Sequence, residues 1–88
     1  MVSKNQIKLI TSLQQKKFRN VEKMFIAEGI KVIQELLNSN FELQHLYTTK
    51  PDFDEVLPSQ KTMISDAELK KISVLANANS CLAVFKIP

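Results

Sequence analysis

The residue pattern predicts an α/β fold, a three-layer α/β/α sandwich around a four-stranded mixed sheet. Three observations predict it. Short apolar runs alternate with stretches of helical period along the whole chain. Two of those runs, at 24–27 and 81–87, are too uniformly apolar for a sheet with one wet face, so helices must cover both. Finally, 88 residues with 44% hydrophobic and 24% charged side chains suffice for one core but not two, and disorder does not suit that composition.

The elements follow in order. Ser3 with Gln6 forms a capping box that starts a helix, and Ile7, Ile10 and Leu13, beside Leu9, keep helical spacing to about Gln15. A basic loop over 16–23 comes next and feeds a buried strand, Met24 to Ala27. Gly29, the only glycine, makes the turn, because one backbone site there has no room for a Cβ. Ile30, Ile33 and Leu37 share a helical face, with Val32 and Leu36 adjacent, and Asn38-Ser39-Asn40 stops that helix. A second strand fits Leu43 to Thr48. Pro51, Asp52 and Pro58 bracket a connection in which Phe53, Val56 and Leu57 form one helical turn. Thr62-Met63-Ile64 is a short strand. Ser65 and Glu68 make a second capping box, for a helix to about Val74 with Leu69 and Ile72 inward. Residues 77–80 form a loop, and Cys81 to Ile87 is a last strand placed centrally by its apolarity.

The net charge of +3 conceals an asymmetry. Residues 1–31 hold seven basic side chains against two acidic ones, whereas residues 32–88 hold five basic and seven acidic. Positive charge gathered in one third of a domain is the footprint of a nucleic-acid site, or else a solvated lysine surface. Lys16, Lys17 and Arg19 are nearly contiguous, and Lys31 follows in the first turn after Gly29, so these four are the candidate RNA contacts. Phe18 and Tyr47 are open to two readings, core anchor or base-stacking surface. Asn77, Asn79 and Ser80 offer groups suited to 2′-hydroxyls or base edges, and are equally ordinary turn formers.

Catalysis has no visible constellation. His45 is the single histidine and reads as structural; Cys81 is the single cysteine and reads as core. There is no Gly-rich phosphate loop and no metal-ligand spacing. Glu28 reads as a carboxylate near the N-terminus of the helix that follows it. No apolar run approaches the ~18 residues of a membrane span, and no signal-peptide core is present, so a cytoplasmic protein without membrane association is expected.

Lys16-Lys17-Phe18-Arg19, then Phe25-Ile26-Ala27-Glu28-Gly29, then 32–37, resembles the opening of the SpoU-type (SPOUT superfamily) RNA ribose 2′-O-methyltransferases. Leu46-Tyr47-Thr48, Ile64-Ser65 leading into 68–73, and the closing Leu82-Ala83-Val84-Phe85-Lys86 continue the pattern, so it covers roughly residues 8–88. The resemblance implies a sandwich like that of kink-turn-binding ribosomal proteins, acting as a small substrate-binding domain for structured rRNA or tRNA. By position it matches Arg19, Glu28 and Gly29 to the family's opening motif and Lys16 and Lys17 to its basic lead-in; Phe18, Glu28 and Gly29 read as the structural part of the site. It also implies a knotted catalytic domain C-terminal to residue 88, which would hold S-adenosylmethionine and most of a homodimer contact. The 88 residues themselves are then a monomer without cofactor, metal or catalytic site. The chain departs from the family at 77–80, where Asn-Ala-Asn-Ser replaces a Thr-Pro-Gln-Gly-like turn. Two other readings compete: a stand-alone binder of folded RNA of the kink-turn type, and a protein-interaction module. The end of the chain soon after a core strand, at Ile87-Pro88, suits the N-terminal piece of a longer protein.

Overall fold

The computed structural model describes residues 2–51, 53–73 and 80–88. The elements are α1 (Lys4–Ser12), α2 (Lys16–Glu22), β1 (Met24–Glu28), α3 (Ile30–Leu37), β2 (Glu42–Thr48), a 3-10 turn (Pro58–Gln60), β3 (Lys61–Met63), α4 (Asp66–Ile72) and β4 (Cys81–Lys86). The strands form one mixed sheet in the order β1-β4-β2-β3. β4 runs antiparallel to both β1 and β2, and β2 runs parallel to β3. The three-layer expectation and the central place of the last strand are both met.

The apolar residues of β1 and β4 divide between two faces by strand alternation. Leu82 and Val84 join Ile10, Leu13, Tyr47, Ile64, Leu69 and Ile72 in one buried cluster, under α1 and α4, with Met24 and Ile26 packed against it. Cys81, Ala83 and Phe85 join Ala27, Ile33, Leu43, Leu46, Phe53 and Val56 in the other, under α3, with Phe25 packed against it. Cys81 is thus core, as its surroundings in sequence indicated. Leu43 and Leu46 are three apart, which on a regular strand would set them on opposite faces. A register shift between Leu43 and His45, opposite Phe85 and Val84, adds one residue to β2 and returns both leucines to the same side.

Both capping boxes form. The Ser3 side chain accepts from Gln6 N–H while Gln6 Oε1 accepts from Ser3 N–H, and Ser65 and Glu68 make the same exchange. Glu68 does more: its second oxygen accepts the Val2 N–H at 2.9 Å, pinning the buried start of the chain to the first turn of α4. These backbone donors, Val2 first and Ser65 next, hold the Glu68 carboxyl below its ordinary range.

Three boundaries differ from the sequence reading. The first helix stops at Ser12, whose hydroxyl donates to Leu9 C=O, rather than near Gln15. The basic segment expected as a loop is helical over Lys16–Glu22. Its residues are mostly straight-chain helix formers with no Gly or Pro. Lys23, in the left-handed region at φ 58°, ends it. Of the helical turn expected at Phe53, Val56 and Leu57 a single bond forms, Val56 N–H to Phe53 C=O at 3.0 Å, and a 3-10 turn follows at Pro58–Gln60, where proline suits a first helical position. Phe53 and Val56 are buried as anchors, but Leu57 is exposed. The far end of the fourth helix, expected near Val74, lies outside the described residues.

Gly29 has φ 97° and ψ 142°, a region effectively closed to residues with a Cβ, and its N–H donates to Cys81 C=O. Gly29→Val is therefore expected to cost at least about 2 kcal/mol, seen as a lower melting temperature. Glu68 makes a pH prediction. A depressed carboxyl stabilises the fold above its unfolded pKa and loses that contribution as pH falls through its folded value. The stability gap between wild type and Glu68→Gln, measured by urea unfolding, is expected to close as pH drops below about 4.

Candidate nucleic-acid interface

Lys16, Lys17 and Arg19 sit together on α2, which packs against β1, an edge strand of the sheet. The lysines are exposed and Arg19 is half-buried. The charges proposed for a flexible loop are thus held on a helical frame. Lys31 is exposed in the first turn of α3, separated from α2 by the length of β1, about 17 Å of extended chain. Three of the four predicted contacts share one element and the fourth belongs to another.

Phe18 is half-buried and lies in neither core cluster, with the Lys17 ammonium 5.5 Å from its ring centre. That cation–π contact fits an exposed-edge aromatic better than a core anchor. Tyr47 resolves the other way. It is buried in the cluster under α1 and α4, and burial pushes its phenol pKa up, so it is not a stacking surface. His45 is half-buried, shares a 2.7 Å hydrogen bond with Thr62 Oγ1, and packs 4.9 Å from the Tyr47 ring. Burial lowers its pKa, so at neutral pH it adds no positive charge.

Glu28 was expected to face the N-terminus of α3. Its Oε1 accepts from the hydroxyl of Ser73, the residue that ends α4. No local sequence signal points to this pair, because the two residues are 45 apart. Glu28 thus ties the Gly29 corner to the far end of another helix, an architectural role. Asn77 and Asn79 lie outside the described residues. Ser80 is described, and its carbonyl accepts from both the N–H and the hydroxyl of Thr49, which joins the start of β4 to the end of β2.

The two faces of the sheet are filled by side chains, and the one glycine corner spends its N–H on Cys81. No group of three or more potential metal ligands occurs among the described residues, and none of the described helices is long and apolar enough to cross a membrane. What the geometry offers is an ordered display of cations on an edge helix.

A family model described as the MRM3-like substrate-binding domain matches residues 4–83. The chain belongs to that family. As an MRM3-like substrate-binding domain it bears out the resemblance to the SpoU-type methyltransferases drawn from motif order. The fold matches a proposed RNA methyltransferase of the TrmH family from Porphyromonas gingivalis with a TM-score of 0.88 at 28% identity. It also matches an S-adenosylmethionine-bound rRNA methyltransferase from Sinorhizobium meliloti (0.80, 21%), and the SpoU methyltransferase AviRb from Streptomyces viridochromogenes in complex with that cofactor (0.76, 11%). These alignments take in 100%, 100% and 98% of this chain but 36% of each of the other chains. A comparison with curated proteins gave no match.

In this MRM3-like domain Phe18 and Phe85 differ in burial, and that makes a prediction. Phe85→Ala is expected to cost about 3–5 kcal/mol, because Phe85 is fully buried on the central strand. Phe18→Ala should cost about 1 kcal/mol or less. Denaturant titration of both variants checks the order.

Proposed function

We propose that this domain grips structured RNA, rRNA or tRNA, for a ribose 2′-O-methyltransferase whose catalytic domain lies C-terminal to it. The observation that carries the reading is the family match over residues 4–83, supported by a fold that accounts for 36% of the TrmH-family chain from P. gingivalis. On this reading S-adenosylmethionine binds outside these 88 residues. Among the described residues the glycine corner is closed by Cys81 C=O and both sheet faces are packed with side chains. The cofactor would supply the methyl group, while this domain fixes the position of the RNA so that one ribose hydroxyl is presented. The cytoplasm is the compartment in which such RNA is met.

Lys16, Lys17 and Arg19 neutralise phosphates from the rigid α2 frame, and Lys31 contributes from α3. The Arg19 guanidinium presents a planar fork suited to phosphate oxygens. A stand-alone kink-turn binder is disfavoured by the share of the matched chains that this fold occupies.

Lys17→Ala and Arg19→Ala are expected to weaken binding to every structured RNA tested. Each should make the dependence of log K on log salt shallower by about one unit. Filter binding or fluorescence anisotropy across salt concentrations measures both effects. Absence of RNA binding by the unaltered chain, even at low salt, would overturn the proposal.

A further inference from the structure

A second group of cations emerges only in three dimensions. α1 buries Ile10 and Leu13, so Lys4 and Lys8, one turn apart, fall on the side facing away from the sheet. α4 buries Leu69 and Ile72, so Lys70 and Lys71 flank the outward direction of that helix. All four lysines are exposed, and α1 and α4 pack against each other in the same layer. Among the described residues the ion pair found is Lys86–Glu42, which leaves these four lysines without a carboxylate partner.

The acids of this layer do little to offset them. α1 contains none. In α4, Glu68 is turned back onto the N–H groups of Val2 and Ser65, which leaves Asp66 exposed in the first turn. The opposite layer differs: α3 exposes Lys31 beside Glu35, and the segment packed near it exposes Asp54 and Glu55. Positive charge is therefore unevenly shared between the two helix layers and gathers on that of α1 and α4.

We propose that the outer face of α1 and α4 is a second phosphate-binding surface, carried by Lys4, Lys8, Lys70 and Lys71, so that RNA is held at α2 and across this layer. The proposal rests on the RNA-gripping reading above and extends it to residues outside the basic opening motif. Lysine suits such a surface because a compact ammonium on a flexible stem follows a backbone without reading bases. The partner is the phosphate backbone of folded RNA, and the recognition is independent of sequence.

The test uses the full 88-residue chain, a synthetic base-paired RNA hairpin and a salt titration. A quadruple variant, Lys4→Gln, Lys8→Gln, Lys70→Gln and Lys71→Gln, is compared with the double variant Lys16→Gln, Lys17→Gln. The quadruple variant is expected to bind more weakly, with a salt slope lower by about three to four units. A quadruple Lys→Arg variant, which keeps the charges, should retain the wild-type slope. Circular dichroism melting confirms that each variant is folded. If the glutamine quadruple binds like wild type while the α2 double variant loses affinity, the second surface is overturned and the RNA-gripping reading survives. If the unaltered chain does not bind the hairpin at low salt, that reading falls and this proposal with it.

Discussion

Strand β4 is the constraint on which the rest of the structure depends. Cys81 to Phe85 are all buried, and their side chains point alternately to two sides. A strand buried on both faces needs a strand partner on each edge and a helix layer above and below. β1 and β2 supply the edges, α1 with α4 covers one face, and α3 covers the other. Phe85 shows how many parts meet there: it stacks on Phe25 of β1 at 5.8 Å and lies opposite Leu43 of β2.

The Gly29 corner depends on that strand and in turn holds the ends of other elements. Its N–H reaches Cys81 C=O at the beginning of β4, and the preceding Glu28 reaches Ser73 at the end of α4. One backbone conformation without a Cβ thereby brings β1, α3, α4 and β4 to a common end of the sheet. Except for Lys31, two residues past the corner, the cations proposed to meet RNA lie on an edge helix and an outer helical layer. The exposed lysines of α1 and α4 have no part in the buried core, which keeps stability separate from the proposed binding surface.

Much of this was legible along the chain. Caps, turns and apolar spacing act over three or four residues, so both capping boxes, the Gly29 turn and the four strands could be read directly. The basic segment at 16–23 reads as a loop because α2 is short, has only one half-buried side and lacks a side-chain cap. The helical turn expected at 53–57 reduces to one hydrogen bond because Phe53 and Val56 anchor an otherwise irregular loop. That the candidate cations ride on a helix rather than a loop was not readable, because that depends on the packing of α2 against β1.

By itself the sequence determined the order of the four strands and of the helices other than α2, the three-layer class, the glycine corner and the motif order that points to an RNA methyltransferase domain. Those depend on near neighbours and on the apolar period. Only the tertiary structure decided the strand order, the bulge that returns Leu43 to its face, the Glu28–Ser73 tie and the gathering of four distant lysines on one layer. The physical reason is separation. Glu28 and Ser73 are 45 residues apart and Val2 and Glu68 are 66 apart, and such groups acquire a relation only when burial of a shared core brings them together.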